Sequence, residues 1–133
     1  MRIAICDDEI SVLNEIKSLL AEYCKDYDRE ISCAELIFFE SGEEILAFED
    51  GIDILFLDIQ MPRKNGMEIA RELRKKDKNM LLIFVTALEE YVFQAFDVGA
   101  FNYIVKPIDD TKFEDVLCRA VDELFSKDMD VRE

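Results

Sequence analysis

Acidic side chains stand where two apolar segments end: Asp7 and Asp8 directly after the N-terminal run, and Asp58 after Ile54-Leu55-Phe56-Leu57. Two further apolar runs close on a hydroxyl, Thr86, and on an ammonium, Lys106. Carboxylates held about 4 Å apart repel each other by roughly 4 kcal/mol at an effective dielectric near 20. A chain that converges them therefore holds a cation among them or keeps one of them protonated. Each of these groups has an ordinary explanation alone. Their shared position, at the ends of apolar runs, is what suggests a site.

The elements that must position them alternate in period. Short β-rich runs occupy Arg2–Cys6, Ala34–Phe39, Asp53–Leu57, Leu81–Thr86 and Phe101–Val105. Helical stripes lie between them. Val12, Leu13, Ile16, Leu19, Leu20 and Tyr23 mark the first, and Ser41-Gly42-Glu43-Glu44 has the capping-box spacing that opens a short second helix. Asn65 caps a third with Gly66, Ile69, Ala70 and Leu73 inward. A fourth places Val92, Ala95 and Phe96 inward and stops near Gly99. The fifth carries Phe113, Val116, Leu117, Ala120, Val121 and Leu124. Continuous apolar strands alternating with helices predict a doubly wound α/β domain whose five-stranded parallel sheet is covered on both faces. Ligands in such sheets gather beyond the carboxyl ends of the strands, which is where the acids, Thr86 and Lys106 fall. The expected domain is 1–125, with 126–133 a polar tail or the start of a linker.

Composition narrows the classes. The chain has 133 residues, half of them hydrophobic, which suits one domain with a single sizeable core. Sixteen basic residues against 31 acidic ones leave a net charge of −15, which repels phosphate backbones and predicts no direct nucleic-acid binding. No apolar run approaches the roughly 20 residues of a membrane span. The N-terminus turns acidic too early for a signal peptide, so a soluble cytoplasmic protein is expected. Cys6, Cys24, Cys33 and Cys118 form no CxxC pair and there is no histidine, which disfavours zinc and excludes phosphohistidine or Ser-His chemistry within the chain. Cys6 is expected in a core strand, and Cys24 and Cys118 on apolar helix faces, all reduced.

Asp7-Asp8, Asp58 followed by Met61-Pro62 and Gly66, Thr86-Ala87, and Tyr103 three residues before Lys106-Pro107 resemble the receiver domains of two-component response regulators. The resemblance runs from about residue 1 to 125, with five separated motifs in matching order. It implies the flavodoxin-like strand order 2-1-3-4-5. It also implies that Asp58 is the nucleophile that accepts a phosphoryl group. Asp7, Asp8, Asp58 and the backbone carbonyl of Gln60 would hold Mg²⁺, with Asp8 a direct ligand and Asp7 acting through water. Lys106, after a family cis Lys-Pro bond, would neutralise the transferring oxygens, and Thr86 would donate its hydroxyl to one of them. Tyr103 would swing inward as Thr86 moves, switching a surface of the fourth helix, fifth strand and fifth helix.

The donor implied is a separate histidine kinase or phosphotransfer protein. Tyr91 and Phe93, flanking the fourth helical stripe, are candidates for a homodimer or partner contact on that surface. Gln60 and Leu88 stand two residues beyond Asp58 and Thr86, where the family tunes loss of the phosphoryl group; the pair suggests slow to intermediate self-dephosphorylation. Phe96-Asp97-Val98-Gly99-Ala100-Phe101-Asn102-Tyr103 resembles receivers linked to LytTR DNA-binding output domains.

Plainer readings stand beside these. Asp7-Asp8-Glu9 also suits a solvated turn at a helix N-terminus, where Glu9 belongs. Thr86 also suits a strand end, and Lys106 an exposed surface. A flavodoxin-like electron carrier would need a Ser/Thr/Gly-rich phosphate loop where this chain has three acids. A haloacid-dehalogenase-type phosphatase would need Asp-x-Asp, and Asp58-Ile59-Gln60 lacks the second acid.

Overall fold

The computed structural model describes residues 1–26 and 34–132, with side chains over 1–23 and 34–126. Strand β1 (Arg2–Cys6) leads into helix α1 (Ile10–Asp26), then β2 (Glu35–Phe39), α2 (Gly42–Ala47) and β3 (Ile54–Leu57). Helix α3 (Gly66–Lys76), β4 (Leu81–Thr86), α4 (Val92–Asp97), β5 (Asn102–Val105) and α5 (Asp110–Arg132) complete the order. The five strands form one parallel sheet in the order β2-β1-β3-β4-β5, as expected. Three of the expected strands start one residue later than the sequence suggests, because Ala34, Asp53 and Phe101 precede the ladder.

Side chains of a strand alternate between faces, and the core divides accordingly. Ile3, Ile5, Ile54, Phe56, Ile83 and Val85 pack under α1 and α5, where Phe56 stacks on Phe113 with ring centroids 5.1 Å apart. Ala4, Cys6, Leu55, Leu57, Leu82 and Phe84 pack on the opposite side with α2, α3 and part of α4. The central strands β1, β3 and β4 are buried almost throughout, whereas the edge strands β2 and β5 are only partly covered. The continuous apolar runs are therefore required at the centre of the sheet.

The caps follow the sequence with one variation. Asn65 and Glu68 complete a reciprocal capping box at the start of α3. At α2, Ser41 Oγ accepts from the Glu44 amide at 3.2 Å, but the Glu44 carboxylate reaches past the cap to the Glu40 amide at 2.8 Å.

Two expectations are corrected. Phe96 is 75% exposed and Val92 also lies at the surface, so α4 buries only Ala95, with Val98 beyond its end. A helix of six residues makes fewer than two turns, too few for periodicity to fix its inward face. Cys118 is exposed, because one helical step beyond the buried Val116 and Leu117 carries it off the buried stripe of α5. The α5 backbone is helical to Arg132. The side chains of Cys24 and Cys33 lie outside the described residues, as does the end of the expected tail at 133.

Candidate functional site

The site forms where β1 and β3 run side by side. Cys6 pairs with Leu57, so the next residue on each strand, Asp7 and Asp58, emerges at the same level. The ladder continues into both: the Asp58 amide donates to the Cys6 carbonyl at 3.0 Å, and the Asp7 amide donates to the Phe39 carbonyl at 3.0 Å. This holds both carboxylates at the rim while leaving each only 2% exposed. Beyond β3 the chain folds back so tightly that a Cβ on Gly66 would stand 2.1 Å from the Asp58 carbonyl oxygen. Only glycine fits there, and its amide donates to the Ile59 carbonyl at 2.8 Å.

Lys106 reaches the two acids from β5, the far edge of the sheet. Its amide donates to the Thr86 carbonyl at 2.8 Å, and the Lys106–Pro107 bond is cis. The ammonium donates to Asp7 Oδ2 at 2.9 Å and to Asp58 Oδ2 at 3.3 Å, with Glu9 Oε1 at 3.8 Å. The other carboxylate oxygens accept from backbone: Asp7 Oδ1 from the Glu9 amide at 2.9 Å and Asp58 Oδ1 from the Gln60 amide at 3.2 Å. These two turns fix the rotamers of both acids.

One ammonium does not balance this cluster. Asp7, Asp8, Glu9 and Asp58 each bring a carboxylate oxygen to within 4.8 Å of the others. Burial pushes the Asp7 carboxyl above its usual range; the Glu9 amide and Lys106 oppose the shift, and the Asp58 charge adds to it. Burial pulls the Lys106 ammonium down, but its bond to Asp7 and the charges of Asp58 and Asp7 outweigh that and leave it raised. The neighbouring Cys6 thiol is pushed up to about 12, by burial first and by Asp7 next, so it stays protonated and unreactive. The donor set is hard oxygen only, from exposed Asp8 and Glu9 and buried Asp7 and Asp58, which suits a hard divalent cation such as Mg²⁺.

Thr86 is fully buried at the end of β4, and its Oγ1 accepts from the Leu88 amide at 3.3 Å. The Tyr103 hydroxyl donates to the carbonyl of the same Leu88, and burial raises that phenol so that it remains a donor. Leu88 was notable in the sequence only for its apolar side chain; its backbone is what joins Thr86 to Tyr103. A threonine two residues before the donating amide is the signal for such a turn. The Gln60 side chain is exposed. Of the candidate contact residues, Phe93 is 84% exposed and Tyr91 half-buried against the core. The rim thus assembles Asp7, Asp8, Asp58 and Lys106, and ties Thr86 and Tyr103 to one loop.

Comparison with known proteins gives the family and the fold. The response regulator receiver domain family matches residues 3–118. The chain belongs to that family. This receiver domain is 36% identical over 119 residues to the sensory transduction protein LytT of Bacillus cereus, covering 88% of this chain and 46% of the relative. It is 35% identical over 120 residues to LytR of Streptococcus agalactiae, covering 90% and 47%. The chain therefore spans about half the length of the curated relatives it matches. Among solved structures it resembles the response regulatory domain of mrkE from Klebsiella pneumoniae, with TM-score 0.81, 26% identity, and 92% and 97% of the two chains covered. It also resembles TrrA from Thermotoga maritima in complex with Mg²⁺-BeF, with TM-score 0.74, 30% identity, and 90% and 97% covered. The receiver domain is a signalling domain of two-component systems. Among the described residues, no helix is long and apolar enough to cross a membrane.

Proposed function

We propose that Asp58 is the phosphoacceptor of this receiver domain and that transfer to it depends on Mg²⁺. The observation that carries the reading is the pairing of Asp7 and Asp58 by the one Lys106 ammonium, beside a carboxylate cluster that a single positive charge leaves unbalanced. Asp7, Asp8, Asp58 and the Gln60 backbone carbonyl would hold the ion, in line with the Mg²⁺-BeF complex of the related TrrA. When bound, Mg²⁺ supplies neutralisation of the phosphoryl oxygens and of the surrounding acids.

The chain's own residues do the rest. The Gln60 amide fixes the Asp58 rotamer, so that one carboxylate oxygen is held for attack on phosphorus. The new P–O bond forms as the P–N bond of a partner's phosphohistidine breaks, and the imidazole departs. Lys106 transfers its hydrogen bond from Asp58 to a phosphoryl oxygen, and the Thr86 hydroxyl donates to another. The phosphoryl group adds roughly −1.5 to −2 charges at a buried point. Thr86 then exchanges its bond with the Leu88 amide for one with the phosphoryl group, and Tyr103 loses the fixed Leu88 carbonyl. The α4-β5-α5 surface carries the change to a partner, a second copy or a LytTR-type output domain. The donor is a histidine kinase or phosphotransfer protein, in a cytoplasmic setting.

Intact-mass analysis after incubation with acetyl phosphate and Mg²⁺ tests the reading. One added phosphoryl group is expected, absent from Asp58→Asn and strongly reduced by EDTA. Equal incorporation into Asp58→Asn would rule out Asp58 as acceptor.

A further inference from the structure

The Arg74 side chain leaves the last turn of α3 and ends among four backbone carbonyls. Its Nε donates to Val98 at 2.7 Å and one terminal nitrogen to Gly99 at 3.1 Å. The other terminal nitrogen donates to Met80 at 2.7 Å and to Asp77 at 3.3 Å. The guanidinium thus joins the α3–β4 loop to the turn between α4 and β5. A planar fork of fixed donors can hold several carbonyls at once, which a lysine ammonium cannot do in the same geometry.

The turn it holds is already the better-made end of α4. The Gly99 amide bonds to the Phe96 carbonyl at 3.0 Å and the Ala100 amide to the Ala95 carbonyl at 3.0 Å, with Gly99 at φ +65°. This is the paired-bond helix stop that a left-handed glycine makes possible. The Phe101 amide then docks on the Leu82 carbonyl at 2.7 Å, fixing the entry to β5. The opposite end of α4 differs. Tyr91 at its cap position makes no side-chain capping bond. The loop before it is tied through Leu88 to Thr86 and Tyr103. Midway, Arg71 reaches Gln94 at 3.2 Å, an exposed bond between two long side chains that constrains little. The helix itself buries only Ala95, so little apolar packing resists a tilt.

We infer that Arg74 is a positioning residue for the switch: it pins the α4–β5 turn as a fixed pivot, so that charging Asp58 displaces the Leu88 end of α4 and not the Gly99 end. The inference rests on the proposed role of Asp58, because the driving event is release of Leu88 by Thr86. It assigns a function to a side chain that touches neither acid nor lysine of the site.

Amide hydrogen exchange, read by mass spectrometry on the full chain in Mg²⁺ with and without acetyl phosphate, tests it. In the wild type, phosphorylation should change exchange in peptides covering 87–96, and leave the amides of 99–101 within about twofold. In Arg74→Gln and Arg74→Lys, Asp58 should be phosphorylated to the same extent, while exchange at 99–101 rises about tenfold or more on phosphorylation. Gly99→Ala reaches the same turn from the other side and should give the same spread, so the test survives if an Arg74 variant does not fold. A merely structural role would raise exchange at 99–101 equally with and without the phosphoryl group, and that result would overturn the pivot. So would a wild type in which 99–101 respond as strongly as 87–96. Absence of phosphorylation in the wild type is a separate outcome, which overturns the reading of Asp58 and the pivot with it.

Discussion

Asp7 carries the cost of converging acids at one rim. Its carboxyl is raised, by burial first, despite hydrogen bonds from the Glu9 amide and Lys106. A group whose folded pKa lies above its unfolded value contributes stability below the unfolded value and loses it as pH rises through the folded one. Charged Asp7 therefore opposes folding at neutral pH. Asp7→Asn should melt at a higher temperature than the wild type in the presence of a chelator, and the gain should shrink on acidification as the wild-type carboxyl takes up its proton. Thermal melts of both proteins at about pH 7 and about pH 4 check this, and a gain that grows at the lower pH contradicts it. At this scale the sequence was informative where chemistry sits next to a strand end. Asp7, Asp8, Asp58, Thr86 and Lys106 could be placed because the apolar runs before them end abruptly. Arg74 could not, since a cation in the last turn of an amphipathic helix reads as a solvated partner of the helix dipole. Only the fold brings the carbonyls of residues 77, 80, 98 and 99 around it.

Among the elements, the β3–α3 connection carries the tightest constraint. The backbone at Gly66 passes so close to Asp58 and Ile59 that a methyl group would meet three of their backbone atoms within 2.8 Å, with no side chain there to give way. Gly66→Ala should cost about 1–3 kcal/mol of stability, read from denaturant melts, and should lower phosphorylation of Asp58 by shifting its carbonyl and carboxylate together. Unchanged stability and phosphorylation would show that the loop adapts freely. Gly42 offers the contrast, because a Cβ there meets side-chain atoms, Cδ1 of Ile69 at 2.3 Å and Cγ1 at 2.9 Å, and not backbone. The strands and most helices were legible from period alone, since each buries a full stripe or alternates cleanly between two faces. The fourth helix was not. In six residues, Val92, Ala95 and Phe96 suggest one face, but the fold buries Ala95 with Val98 and turns Phe96 out. The same helix leaves Phe93 and Phe96 exposed, and Phe96 lines a surface cavity with Asn102 and Tyr103 of β5, where the proposed switch surface lies.

For the molecule as a whole, charge dominates. A net −15 on 133 residues means that folding gathers like charges, as at Asp7, Asp8, Glu9 and Asp58. Raising monovalent salt from low to physiological levels should stabilise the fold by about 1 kcal/mol, or roughly 4 °C in melting temperature. A melting temperature that falls with added salt would mean that attractive pairs outweigh this repulsion. Mg²⁺ should add a further rise that Asp58→Asn and Asp8→Asn diminish, because only an ion bound to the folded state shifts the melt by mass action. The apolar half of the composition is spent on two core clusters, one on each face of the sheet. The α5 backbone is helical through 126–132, the stretch read as a polar tail or the start of a linker.

The claim on which these expectations depend is that the phosphoryl group is carried by one particular carboxylate. Borohydride reduces an acyl phosphate to an alcohol, converting a phosphorylated aspartate to homoserine, which peptide mass mapping can locate. After treatment with acetyl phosphate and Mg²⁺, homoserine is expected at position 58 and nowhere else. Homoserine at position 7 or 8, or its absence from the phosphorylated protein, would contradict the account.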